Sequence, residues 1–270
     1  MYNLLKGKRG IIFGALDENS IAWKTAERVH EEGGTFVLTN APIAMRMGTI
    51  NQLAEKTGSQ IIPADATSIE DLEKLVDQAV EILGGKIDFV LHSIGMSMNV
   101  RKGNHYTNQN YEFTAKGTDV SAMSFHKVMQ VLYKKDAMNE WGSIVALSYM
   151  AAQRVFPDYN DMADNKAYLE SIARSFGYFF GRDKKVRVNT ISQSPTPTTA
   201  GMGVKGFGGF IAYADKMSPL GNASALDCAN YTVTLFSDLT KRVTLQNLYN
   251  DGGFSNMGVS DLVMERFNDE

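Results

Sequence analysis

Short runs of consecutive apolar residues alternate along the chain with longer stretches whose apolar residues recur every three or four positions. Runs of the first kind predict buried strands, and stretches of the second kind predict amphipathic helices. The strands fall at Arg9 to Phe13, Thr35 to Thr39, Gln60 to Ala64, Ile87 to His92, Gly142 to Leu147, Val186 to Ile191 and Thr244 to Tyr249. A helix capped by Ser20 carries Ile21, Ala22, Thr25, Ala26 and Val29, and a second has Leu72, Leu75, Val76, Ala79, Val80 and Leu83 on one stripe. Further helices are predicted over Asp119 to Met138, from near Tyr159 through Leu169, Ile172, Ala173 and Phe176, and over Ala225 to Leu239. Met96 to Gly117 is polar and irregular, long enough to read as a functional loop. Strands and helices in alternation predict an α/β fold, a doubly wound parallel sheet of the Rossmann-like kind, as a single domain over residues 1–270.

Composition narrows the class. Of the 270 residues, 44% are apolar and 21% charged, which is globular. A net charge of −3 gives no footprint for nucleic acid. Cys228 is the sole cysteine, so no intrachain disulfide forms and a reducing, cytoplasmic setting is the expectation. The four histidines lack metal-ligand spacing, and no metal is expected. The apolar run Gly10 to Leu16 breaks at Asp17, too short for a signal peptide or membrane span.

Candidate chemistry collects where strands end, the usual ligand side of an open α/β sheet. Gly14, a polar loop and Ser20-Ile21 at a helix start make an anion site, though without the full G-x-G-x-x-G pattern. The second strand ends at Asn40-Ala41, with no acidic residue for a ribose and Arg46 the first basic residue beyond, a weak lean to NADH over NADPH. Asp65 follows the third strand, within reach of an adenine amino group or simply flanking a helix. Ser93-Ile94-Gly95 follows the fourth, where small residues let backbone approach a flat ligand; His92 before it reads as structural. Tyr149 ends the fifth strand, and the sixth leads into a proline-stiffened, hydroxyl-rich loop from Ser192 to Thr199. Residues 201–217 hold five glycines with Phe207, Phe210 and Ile211, either a lid over a greasy substrate or a surface helix with an aromatic stripe. Tyr159 and Lys166, nearly two helical turns apart, are expected on one helix face. A cation near a phenol favours the phenolate, and a phenol donates to a forming oxyanion. Each feature alone has an ordinary structural reading; their recurrence at five strand ends favours a dinucleotide site.

These motifs resemble the short-chain dehydrogenase/reductase superfamily and, within it, the bacterial enoyl-acyl-carrier-protein reductases, from Lys8 to about Asn256. Ordinary short-chain dehydrogenases carry Tyr-x3-Lys. Here position 163 is Ala and the lysine follows at Tyr159-x6-Lys166, with an extra tyrosine in Leu147-Ser148-Tyr149. Gly14 with Ser20-Ile21-Ala22, His92-Ser93-Ile94-Gly95 and Asp251-Gly252-Gly253-Phe254 support it. The resemblance implies reduction of trans-2-enoyl thioesters by NADH in the fatty acid elongation cycle, with acyl carrier protein as partner and a homotetrameric assembly. It implies that Tyr159 bonds the thioester oxygen, Lys166 holds the nicotinamide ribose, and Tyr149 lines the acyl pocket. Gly14, Ser20, Ile21, Asp65, Ala66, Ser93, Ile94, Gly95, Pro195, Thr196 and Thr198 are placed around the cofactor. Met162, Val204 and Phe207 are placed on the acyl chain, under a lid around 198–217. Two departures stand out. The family's Ala-Gly-Pro is Gln193-Ser194-Pro195, and Gly208-Gly209 replace the basic residues that follow the lid phenylalanine, leaving Lys205 nearby. A short-chain carbonyl or alcohol dehydrogenase and a non-catalytic dinucleotide sensor are the competing readings.

Overall fold

The computed structural model describes residues 2–46, 49–199, 201–203 and 206–268. Seven parallel strands form one sheet in the order β3-β2-β1-β4-β5-β6-β7. They are β1 (Arg9–Phe13), β2 (Thr35–Thr39), β3 (Gln60–Ile61), β4 (Ile87–His92), β5 (Met138–Ser148), β6 (Arg187–Gln193) and β7 (Asn247–Asn250). The helices in chain order are α1 (Ile21–Glu31), α2 (Pro42–Met45), α3 (Ile50–Thr57), α4 (Ile69–Leu83), α5 (Met98–Lys102), α6 (Tyr111–Thr118), α7 (Ser124–Lys134), α8 (Asp161–Lys184), α9 (Phe207–Met217), α10 (Ala225–Phe236) and α11 (Asp261–Asn268).

Successive strand residues point to opposite faces, so each strand feeds two cores. Ile11, Phe13, Val37 and Val90 pack under α4, α7 and α8 with Leu72, Phe125 and Leu169. Ile12, Leu38, Phe89 and Leu91 pack under α1, α3 and α10 with Ala26, Leu53 and Phe236. Burial on both faces explains why the strands read as unbroken apolar runs. The strand order reverses between β1 and β4, and the crevice at that switch point is where such sheets take ligands.

Several expectations need correction. The third strand stops at Ile61, because Pro63 cannot donate to a ladder; Ile62 and Ala64 still bond β2 and its end from a loop. The last strand is Asn247–Asn250; Leu245 at φ 65 sets off the preceding residues. Met96 to Gly117 is no open loop. It folds as α5, a 3-10 turn and α6, each started by a side chain (Ser97, His105 and Asn110) that accepts first-turn N–H groups. The helix drawn over Asp119 to Met138 begins with a wide turn at Asp119–Met123 and ends at Lys134, and Met138 already belongs to β5. The short helices α2, α3 and α11 were not predicted; at 4, 8 and 8 residues they are too short to repeat an apolar stripe.

Candidate active site

A cavity of about 560 Å³ opens at the carboxyl ends of β1, β4, β5 and β6. Its floor is backbone. Gly14 has φ +92, and a Cβ there would lie 2.0 Å from the Ser93 carbonyl, so only glycine lets the β1 turn press against the end of β4. A Cβ on Gly95 would come within 3.4 Å of Met162 and 3.8 Å of the Lys166 Nζ, so this glycine leaves the space before the lysine open. Ser20 stands at the start of α1 but does not cap it. Its hydroxyl donates to the Asp17 carbonyl at 2.7 Å and accepts from the Leu16 N–H at 3.3 Å, shaping the loop. The first turn of α1 holds no acidic residue, and Ser20 and Ile21 at its start line the cavity.

Tyr159 and Lys166 do not share a helix. Tyr159 ends a 3-10 turn (Pro157–Tyr159), and Asn160 at φ 46, ψ −137 reverses the chain before α8 starts at Asp161. Asn160 tolerates that backbone because its side chain is tied on both sides. Its Oδ1 accepts from Gln109 and the Asp161 N–H, and its Nδ2 donates to the Asn104 carbonyl. Asp161, fully buried, accepts from Ser97 at 2.5 Å and from Asn99 at 3.0 Å. The polar stretch after β4 thus clamps the turn that aims Tyr159, and both catalytic candidates still line one cavity.

Burial raises the Tyr159 phenol above its ordinary value, so it stays protonated and keeps a proton to donate. Lys166 is 7% exposed, its ammonium donates to the Leu147 carbonyl at 2.7 Å, and burial lowers its pKa to about 8, with Glu170 opposing. Tyr149 packs edge-on against Tyr159 at 5.1 Å between ring centroids. Burial, then the neighbouring Tyr159 and Asp251, push its phenol far up, and its hydroxyl has no partner among the described residues. Phe156, Phe210 and Phe254 join these rings in one aromatic cluster with Ala163 at its edge. His92 is structural, as expected. Since Ser124 Oγ donates to the Val120 carbonyl, His92 Nε2 donates to that oxygen, and burial lowers the imidazole to about 3.

Gln193 and Ser194 do not obstruct the site. The Gln193 amide donates to the Ala223 and Ser224 carbonyls and accepts from Asn250, while Ser194 Oγ accepts the Ala223 N–H. Both side chains are spent on the 222–224 segment, and the backbone into Pro195 and Thr196 lines the cavity. Gly14, Ser20, Ile21, Ser93, Ile94, Gly95, Tyr149, Tyr159, Met162, Lys166, Pro195, Thr196, Thr198 and Phe207 therefore meet around one space. Asp65 and Ala66 lie outside that lining; the Asp65 carboxylate takes the Thr67 N–H and hydroxyl. Val204 falls outside the described residues. Asn40, Phe156, Arg101 and Phe210 line the cavity without having been picked as site residues. Phe210 was read with Phe207 and Ile211 as a lid or an aromatic stripe, and no sequence signal singled out Phe156. Among the described residues no cluster of metal ligands occurs, and no helix is long and apolar enough to cross a membrane.

A doubly wound sheet with a glycine-floored crevice, a protonated tyrosine and a buried lysine defines a short-chain dehydrogenase/reductase. The family model described as "Enoyl-(Acyl carrier protein) reductase" matches residues 14–255. An enoyl-[acyl-carrier-protein] reductase [NADH] of Rhizobium meliloti is 30% identical over 256 residues, 94% of each chain. The structure of a FabI–NADH complex from Alistipes finegoldii is 65% identical with a TM-score of 0.96, covering 98% of this chain and 93% of that one. The Aquifex aeolicus enoyl-[acyl-carrier-protein] reductase (NADH) is 31% identical with a TM-score of 0.87, covering 95% and 99%. The chain belongs to the enoyl-acyl-carrier-protein reductase family.

Proposed function

We propose that this protein reduces the 2,3 double bond of trans-2-enoyl thioesters borne on acyl carrier protein, with NADH, in fatty acid elongation. One observation carries the reading: a protonated Tyr159 and a buried Lys166 face the same cavity as the glycine-floored β1/β4 crevice. The crevice fits a dinucleotide, since a Cβ at Gly14 would fill it and the start of α1 offers free N–H groups to a pyrophosphate. When bound, NADH supplies the hydride.

Every other part falls to the chain. Gly14, Ser20, Ile21, Ser93, Ile94, Gly95, Pro195, Thr196 and Thr198 hold the cofactor, with Asp65 and Ala66 toward its far end. Lys166 holds the ribose and supplies positive field. Tyr159 donates to the thioester oxygen as charge gathers there, an interaction stronger in the transition state than before it. Tyr149, Met162 and Phe207 line the acyl chain, with Val204 in the same lid segment, and the 198–217 stretch covers it. Asn40 Nδ2 is bonded to the Ala15 carbonyl at 3.1 Å and offers no cation to a 2′-phosphate, which supports NADH over NADPH. Ala163 packs in the aromatic cluster, where a Tyr-x3-Lys enzyme would need its lysine, which counts against a carbonyl dehydrogenase. Exposed Tyr168, Tyr178 and Phe179 along α8 support a helix-paired homotetramer. Cys228 is buried with its thiol pushed up to about 12, inert in a cytoplasm.

The test is turnover of a crotonyl thioester with each nicotinamide by parent and Tyr159→Phe. The parent should use NADH. The variant should bind NADH with unchanged affinity and lose about a hundredfold or more in kcat, the usual worth of one transition-state donor. Equal turnover by the two proteins would remove Tyr159 from the chemistry.

A further inference from the structure

Glu170 lies one helical turn beyond Lys166, is 3% exposed, and belongs to no part of the site described so far. Its Oε1 accepts from the Ser148 hydroxyl at 2.7 Å and its Oε2 from the Gln153 amide at 3.1 Å. Both oxygens accept, the pattern of a carboxylate rather than an acid. Gln153 in turn accepts from the Tyr249 hydroxyl at 2.9 Å, so one carboxylate links α8, the end of β5, the loop after it and β7. Ser148 sits between Leu147, whose carbonyl takes the Lys166 ammonium, and Tyr149, which packs on Tyr159. Side chains four apart on a helix have Cβ atoms about 6 Å apart, close enough for a carboxylate to act on an ammonium in a dry interior.

We propose that Glu170 is a positioning residue for the reductase: it keeps Lys166 cationic and, through Ser148, fixes the strand end that carries the Leu147 carbonyl and Tyr149. It rests on the role given to Lys166 above. The titratable groups around Lys166 are Glu170 on its own helix, His92 on β4, and Tyr159 and Tyr149 across the cavity. His92 is neutral near pH 8, with its imidazole lowered to about 3, and both phenols are protonated. Asp251, past β7, faces Tyr149 and is held by the Gly253 and Ser255 N–H groups. Burial works against the ammonium and Glu170 works for it. Replacing so deep a carboxylate by an amide need not unfold the chain, because Gln153 can turn its own amide over to meet the new group.

The experiment compares the parent with E170Q, E170D and S148A. The first readout is the pH dependence of Lys166 acylation by an amine-directed reagent in cofactor-free protein, followed by peptide mass. The parent midpoint is expected near 8. E170Q should lower it by about one unit, while E170D and S148A should leave it in place. The second readout is the pH profile of crotonyl thioester reduction. In E170Q its alkaline limb should move to lower pH by the same amount, with kcat near pH 8 down about fivefold. E170D and S148A, which lose the Ser148 bond but keep the charge, should lower kcat about threefold without moving the limb. An E170Q protein with the parent's Lys166 midpoint and pH profile overturns the proposal, as does an S148A protein with the parent's kcat. If E170Q does not fold, E170D and S148A decide, and parental kcat in both overturns it. Failure of the reductase reading itself would look different: the parent would not reduce the thioester, while the Lys166 titration would still be measurable.

Discussion

Two cations are buried at opposite ends of the sheet, and they are treated differently. Arg187, at the start of β6 and 3% exposed, donates to the carbonyls of Leu235, Trp141 and Phe236 and to the Thr240 hydroxyl. Lys166, at the carboxyl end and equally deep, has one partner among the described residues, the Leu147 carbonyl. An ammonium has three protons to give. Tyr149, on the same cavity, has a hydroxyl with no partner among the described residues. A buried polar group left unpaired costs stability, so such groups gather where a ligand will meet them. Arg187 thus spends its terminal nitrogens on the protein, with only its Nε unpartnered among the described residues, whereas Lys166 keeps protons to give at the cavity.

The largest effects should come from removing each cation, and they should fall on different measurements. Lys166→Met is expected to cost at least a hundredfold in kcat/KM for thioester reduction, while the fold survives or gains. Arg187→Met takes this donor from the Trp141 and Phe236 carbonyls, while the Leu235 carbonyl keeps the Thr240 hydroxyl; at about 1 kcal/mol or more for each of the two, unfolding should come about 2 kcal/mol more easily. Denaturant unfolding and steady-state kinetics on both variants check the contrast. An Arg187→Met protein as stable as its parent would erase the distinction.

That contrast was only partly visible in the sequence. The alternation of Ile11, Ile12 and Phe13 between two cores made the sheet legible, since burial on both faces leaves an apolar run that nothing else explains. Gly14, Ser93 and Gly95 drew notice together because small residues recurring at strand ends let backbone approach a flat ligand, and all three line the cavity. Tyr159 and Lys166 were expected on one helix face; the structure brings both to one cavity but not to one helix. The reversal depends on Asn160, whose odd backbone is held by Gln109 and Asn104, about fifty positions earlier in the chain. No local pattern encodes a bond across that distance. Glu170 was invisible for the same reason: its partners Ser148 and Gln153 come from another strand and another loop.

A pH series sharpens the comparison with a smaller signal. Folding lowers the Lys166 pKa from the ordinary 10.5 to about 8. Between those values the unfolded chain binds a proton that the folded chain has released, so this lysine makes the protein more stable as pH rises from 8 to 10.5. Below pH 8 its full cost is present, on the order of 3 kcal/mol. The stability advantage of Lys166→Met should therefore be largest below pH 8 and gone near 10.5. Activity of the parent should run the other way and fall as the ammonium deprotonates through about 8. Parallel unfolding curves for the two proteins at all pH values would show that the lysine is not desolvated.

The smallest effect separates two readings of Tyr149. Its hydroxyl is buried without a partner, so as a purely structural group it is a liability of about 1 kcal/mol that Tyr149→Phe should remove. The ring itself must stay, because it holds Tyr159 and Phe210 by edge contacts at 5.1 and 6.3 Å and Phe156 by a tilted one at 5.3 Å. Phenylalanine keeps that ring and deletes only the orphaned oxygen. If the oxygen waits for the thioester, the variant gains stability in the free protein and loses turnover by a few-fold, with binding of NADH untouched. If it waits for nothing, stability rises and kcat stays at the parent's value. A loss of stability in the variant would break the argument at its root, since it would mean that the hydroxyl already has a partner in the free protein.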